Sequence, residues 1–262
     1  MSRSDSLVSN DGRVLAWYLP QILTVSRRVS YWHYLRSPLT LHLRSTPCGL
    51  QTVGGNWRSH QEHFRRPKRC SLSLAGTINI SPAWFEMARD GPQFRLKSSA
   101  SLRKGSGAAH TRQWLVAMMS SSMLLSAMLA VMHPDQYAMC RACIKRLPSH
   151  CDDEEALNLW YSLFNGVQII SNRETPLHRD NGTQLPWLDM LASVGPYSGG
   201  TFHLPGLGLN LKYSSGTVIG LCGRLLRHGV SGVVGERICV AYFMRSNVQQ
   251  RVDTKLAKWS YL

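Results

Sequence analysis

Four residues in the second half of this 262-residue chain carry the types and spacing that redox chemistry needs. The run Leu177-His178-Arg179-Asp180 sets an imidazole and a carboxylate two positions apart, and on a strand residues so spaced point the same way. His228 follows 48 residues after Asp180, and Arg237 nine residues after that, opening the apolar run Ile238 to Phe243. Two histidines and one carboxylate on one face of a metal leave three positions open, which is the arrangement of non-haem Fe(II) oxygenases. Arg237, expected at the start of a strand that pairs beside His228, would then hold a dicarboxylate cosubstrate through its guanidinium fork. Arg245 shares the face of that strand by even-number alternation; Arg237 is preferred because it stands at the strand's beginning, nearest the level of His228.

Taken singly these signals are weak. His178 and Asp180 are an ordinary alternation of polar types, Asp180-Asn181-Gly182 is turn chemistry, and His228 alone reads as a satisfied structural histidine. His-Arg-Asp also opens the protein-kinase catalytic loop, but the Asn expected five residues after Asp180 is Leu185, and no Asp-Phe-Gly is present. Order, spacing and strand context together raise the iron site above these readings.

The phrasing around the four residues resembles a known family. Leu204-Pro205-Gly206-Leu207-Gly208-Leu209, Tyr213 to Gly220, Gly223-Arg224 through His228-Gly229-Val230, and Glu236-Arg237-Ile238-Cys239 to Arg245 are similar to the 2-oxoglutarate and Fe(II)-dependent dioxygenases of the Tet/J-binding-protein group, especially its fungal branch. The likeness runs over roughly residues 112 to 250. It implies Fe(II) held by His178, Asp180 and His228, 2-oxoglutarate gripped by Arg237, and O2 as oxidant. It further implies hydroxylation of the methyl group of 5-methylcytosine or thymine in DNA, with the base flipped from the duplex. Asn172 and Arg224, six residues before His178 and four before His228, are the candidates for contact with the base. The alternatives are a dioxygenase of the same fold acting on protein or small molecules, and a decayed copy that binds nucleic acid without turnover.

The elements that must position these residues are short strands. Val167 to Ile170 is β-branched, Leu177 to Asp180 follows Pro176, and Trp187 to Val194 suits a strand or short helix. Gly199-Gly200, Pro205-Gly206 and Ser215-Gly216 punctuate the remainder at roughly ten-residue intervals, the rhythm of an antiparallel jelly roll. The expected fold is therefore mainly β with flanking helices (α+β), built on a double-stranded β-helix core. The uncharged stretch Trp114 to Met132 is 19 residues long, enough for a membrane span, yet four serines interrupt it and His133-Pro134 ends it. A helix packed on the sheet is the better reading, with no membrane partner.

Charge divides the chain. Residues 1 to 112 carry 17 Lys and Arg against 5 Asp and Glu, whereas residues 113 to 262 carry 13 against 10, so most of the net +15 lies in the N-terminal part. Such a basic segment suits a polyanion such as DNA, or a solvated arm. With Arg65-Arg66-Pro67-Lys68-Arg69 read as an import or nucleic-acid patch, it points to a nuclear protein. Proline and glycine break every apolar run there, and Ser98 to Gly107 reads as a linker. The division expected is a basic, poorly ordered region at 1–112, the dioxygenase domain at 113–252 and a tail at 253–262. An Arg- and Ser-rich start also suits a mitochondrial presequence, but the bias continues far beyond the length of one. Seven cysteines at irregular spacing argue for a reducing compartment; Cys140 and Cys143 with His150-Cys151 suit zinc less well than simple burial on a helix.

Overall fold

Eleven strands form two antiparallel sheets that face each other in the computed structural model, which describes residues 3–34, 57–65, 75–86, 89, 91–103 and 107–262. The larger sheet has seven strands: β1 (Asp5–Val8), β2 (Val14–Leu19), β9 (Val218–Leu221), β6 (Asp189–Val194), β11 (Ile238–Phe243), β4 (Gly166–Ser171) and β3 (Gly76–Ile80), in that order across the sheet. The smaller has four: β5 (Thr175–His178), β10 (His228–Gly235), β7 (Tyr197–Leu204) and β8 (Leu209–Lys212). This is the rolled, jelly-roll arrangement expected from the spacing of turns.

The larger sheet is covered on both faces, and period-two alternation sorts its side chains. In β11, Ile238, Val240 and Tyr242 join the core between sheet and helices. Arg237, Cys239 and Ala241 point the other way and line a cavity between the sheets. β4 and β6 obey the same rule: Val167, Ile169, Met190, Ala192 and Val194 enter the outer core, while Gln168, Ile170 and Leu191 face the cavity. A second, smaller core lies between the sheets and is built from Ala16, Tyr18, Phe202, Leu204, Leu211, Tyr213, Ile219 and Leu221.

Four expectations change. The apolar stretch 114–132 is two helices, Gly107–Ala117 and Met119–Met132, meeting at a 58° bend. Among the described residues no single helix is long and apolar enough to cross a membrane. The boundary placed at residue 112 does not hold, because β1, β2 and β3 are members of the larger sheet, with β2 paired to β9 and β3 to β4. Their alternation is short and broken by proline, and only long-range pairing reveals them as strands. The proposed linker is likewise part of the body: Ser98 and Ser99 are buried and Ala100–Arg103 is helical. The C-terminal stretch is not a free tail, since the Val14 N–H donates to the Ser260 carbonyl and the Leu262 N–H to that of Gly12. The apolar run Leu39 to Leu43 and residues 66–69 of the basic cluster lie outside the described residues. Cys140 and Cys143 are fully buried, as the bland reading had it, and burial pushes both thiols up, Cys143 to about 12.

Candidate active site

The two histidines meet because β5 and β10 pair antiparallel with His178 directly opposite His228, their ring centroids 4.3 Å apart. Asp180 is not on the strand, as the two-residue spacing suggested, but two residues beyond the end of β5, where its N–H donates to the Gly223 carbonyl at 3.0 Å. That bond turns its carboxylate back between the imidazoles. His178 Nε2 lies 3.5 Å from Asp180 Oδ1, and His228 Nε2 lies 3.5 Å from Oδ2.

Both rings are oriented by their other nitrogen. His178 Nδ1 is 2.9 Å from the Pro176 carbonyl and His228 Nδ1 is 2.9 Å from that of Leu226. A carbonyl only accepts, so each Nδ1 carries a proton and each Nε2 is the nitrogen turned toward Asp180. Phe202 stacks on His228 at 5.7 Å, holding the ring in plane. Burial, and then His178, lower the pKa of His228 to about 4, so it is neutral near pH 7. Burial alone would raise Asp180, but His178, His228 and Arg58 outweigh it and hold the carboxyl at about 2.

This donor set fits a metal ion. The three ligand atoms lie within 4.8 Å of one another, and at neutral pH the Asp180 carboxylate is ionised and the His228 imidazole is neutral. Gly223 completes the cradle: a Cβ there would lie 3.0 Å from Asp180 Oδ2 and 2.8 Å from Asp189 Oδ2, so a larger residue would press on both carboxylates. A second close-set group among the described residues, His60, Glu62 and His63, is sequence-local, with Glu62 exposed and both histidines half-buried. The recessed triad has the oriented imidazoles that metal sites require.

Arg237 sits just before β11, and β11 belongs to the larger sheet. It therefore does not pair beside His228, as the sequence suggested, but faces it across the barrel. The two share one cavity with His178, Asp180, Tyr213 and Arg173. Arg237 is buried, its Nε donates to Ser193 Oγ at 2.9 Å and its guanidinium carbon stands 4.8 Å from the Tyr213 ring centroid. Arg245, beyond the far end of the strand, stacks instead on Trp84 and Phe243.

Asn172 and Arg224 do not present themselves to a substrate. Asn172 adopts φ 53° and its Oδ1 accepts the Arg237 N–H at 2.9 Å, so its work is to fix the start of β11. Arg224 donates to the Thr183 carbonyl at 2.7 Å and braces the loop after Asp180. Sequence proximity to a ligand did not report side-chain direction.

Other residues at the site carried no local sequence signal. Arg58, from a 3-10 turn at Trp57–Ser59, pairs with Asp180 at 3.0 Å, and the Trp57 ring lies 4.7 Å from that of His178. Arg173 is buried on the cavity wall between the rings of Trp57 and Phe64, its Nε without a hydrogen-bond partner, and burial lowers its pKa to about 10. Both arginines come from segments far from one another in sequence, and only the fold joins them.

A β-barrel with a recessed His-Asp-His site and a buried arginine across the cavity defines a 2-oxoglutarate and Fe(II)-dependent dioxygenase. The oxygenase-domain model of the 2OGFeDO superfamily, Tet_JBP, matches residues 87–246, more than half the chain, and the chain belongs to that family. Among solved structures, NgTET1 in complex with 5mC DNA is similar with a TM-score of 0.61 at 18% identity, over 94% of this chain and 78% of that one. A viral collagen prolyl hydroxylase from Paramecium Bursaria Chlorella virus-1 aligns over 30% of this chain and 54% of its own, at 20% identity and a TM-score of 0.24. No curated protein sequence matches the chain.

Proposed function

We propose that the enzyme hydroxylates the methyl group of 5-methylcytosine, or of thymine, in DNA, with His178, Asp180 and His228 holding Fe(II) and Arg237 holding the distal carboxylate of 2-oxoglutarate. The observation that carries the substrate reading is a second chamber of about 390 Å³ beside the triad, sharing Arg58, Gln168, Asp180, Leu191 and Ala241 with the inner cavity. Its volume lies in the range of small-molecule sites, roughly 300–1,000 Å³. Such a site takes one flipped base and no stacked duplex. NgTET1 was captured with 5mC DNA, and its likeness over nearly the whole chain favours the same class of substrate.

The residues divide the work. Held by His178, Asp180 and His228, Fe(II) would supply the O2 activation needed to oxidise 2-oxoglutarate and hydroxylate the substrate carbon. His178 and His228 turn their Nε2 atoms to the site because backbone carbonyls accept from each Nδ1. Arg237 and Arg173 put two buried positive charges in the inner cavity, which complement a dicarboxylate. Phe202, Val230 and Leu191 line the same space and keep it dry. The outer chamber, lined in part by Arg58 and Asp180, would seat the substrate beside the triad. The basic N-terminal segment supplies charge for the phosphate backbone, and that attraction weakens with salt.

The test is nucleoside mass spectrometry after incubation with Fe(II), 2-oxoglutarate, O2 and duplexes carrying 5-methylcytosine or only thymine. Hydroxymethylated base that depends on all three additions is the expected product. Consumption of 2-oxoglutarate with peptide or small-molecule substrates, and none with DNA, would move the substrate out of nucleic acid.

A further inference from the structure

His60, Glu62 and His63 take no part in the triad, yet their side chains converge as a second ligand set. A 3-10 helix has three residues per turn, so side chains at i and i+3 lie over one another. His60 immediately precedes the 3-10 turn Gln61–His63, and its ring stacks on that of His63 with 8° between the planes and 6.2 Å between the centroids. Glu62 lays its carboxylate across the pair. Its Oε1 lies 3.6 Å from His60 Nδ1 and 3.5 Å from His63 Nε2, and the three ligand atoms fall within 4.8 Å of one another. Ligands bonded to zinc at about 2.0–2.1 Å on tetrahedral corners stand roughly 3.3–3.4 Å apart. Both Glu62 separations are close to that edge, and the exposed side of Glu62 leaves a further corner to water.

The turn belongs to the segment that closes over the triad. Trp57 lies between the two clusters, its ring 6.2 Å from that of His63 and 4.7 Å from that of His178, and Arg58 pairs with Asp180 at 3.0 Å. Beyond the turn the backbone is joined to the β4–β5 connection: the Glu174 N–H donates to the His63 carbonyl at 2.8 Å and the Arg65 N–H to that of Asn172 at 2.9 Å. Within the turn the bonds are longer. The His60 N–H reaches the Trp57 carbonyl at 3.2 Å and the His63 N–H that of His60 at 3.2 Å, the poorer geometry of a 3-10 turn. An ion bonded to both imidazoles would tie the start of the turn to its end.

We propose that His60, Glu62 and His63 bind a divalent ion of the zinc class, and that this second metal anchors residues 57–65 against the triad. Two imidazoles and a carboxylate are donors that suit zinc. Fe(II) stands below zinc in the affinity order of such sites, so an open three-ligand cluster retains zinc and does not replace the triad as the iron site. The second site requires neither DNA nor 2-oxoglutarate, and it stands apart from the substrate reading.

The experiment uses the full chain, stripped of metal and dialysed to equilibrium against chelator-buffered Zn(II). Wild type is compared with Glu62→Gln and His63→Ala, and each is repeated in a background of His178→Ala with His228→Ala, where the triad takes no ion. In that background His63→Ala should weaken zinc binding roughly a hundredfold or more, because even an outer partner of a metal ligand is worth about 10- to 100-fold. Glu62→Gln should weaken it less. In wild type, zinc should shield His60 and His63 from carbethoxylation, mapped by mass spectrometry, and slow amide exchange across residues 57–65. Zinc affinity unchanged by His63→Ala, or both imidazoles modified equally fast with and without zinc, would overturn the site. Zinc bound there with amide exchange unchanged would overturn its anchoring role.

Discussion

The two sheets of the barrel divide one site between them. The four-stranded sheet carries both histidines, opposite each other on β5 and β10, and Asp180 follows directly from β5. The seven-stranded sheet carries Arg237, with Ser193 and Asn172 to hold it, and Asp189 at the start of β6. The smaller sheet makes the metal site and the larger one the walls that select what lies against it. The lesson is that metal loading and ligand recognition are mechanically separate, and they should fail separately.

The largest effects test that separation. His178→Ala or His228→Ala, on the smaller sheet, should abolish stoichiometric Fe(II) binding, measured by anaerobic titration. Arg237→Ala, on the larger, should leave Fe(II) bound while weakening 2-oxoglutarate roughly 10- to 100-fold, as loss of charged hydrogen bonds implies. Loss of iron in Arg237→Ala would merge the two functions. Next in size is Gly223→Ala, whose Cβ would press on Asp180 and Asp189; reduced iron affinity with near-normal folding is expected, read by the same titration.

Smaller effects sharpen the picture. Asn172→Gly keeps the left-handed backbone and deletes the acceptor of the Arg237 N–H, so cosubstrate affinity should fall severalfold without loss of iron. The metal-free protein should also show a pH signature. His228 has its pKa lowered from 6.5 to about 4 by burial first and His178 second, so the unfolded chain binds that proton earlier than the folded one. Stability from this group is complete above pH 6.5 and is lost as pH falls toward 4. Chemical denaturation across that window should slope downward on acidification, and His228→Gln should flatten it.

Much of this site was legible in the chain. Strand spacing and turn residues gave the jelly roll, and His178, Asp180, His228 and Arg237 do share one cavity. What failed was direction and partnership. Arg237 does not pair beside His228, because β10 and β11, though consecutive in the chain, lie in different sheets, which only topology reveals. Asn172 and Arg224 are near the ligands in sequence, yet their side chains are spent on the Arg237 N–H and the Thr183 carbonyl. Trp57 and Arg58, more than a hundred residues before the triad, close over His178 and Asp180 without any local pattern to announce it.

Iron K-edge absorption on the ferrous full chain tests the centre of the account most directly. Two imidazoles in the coordination sphere of wild type, and one fewer in a His228→Gln sample driven to partial loading at high iron, are the predicted spectra. A wild-type sphere without imidazole scattering, or one unchanged when His178 and His228 are replaced in turn, would contradict it.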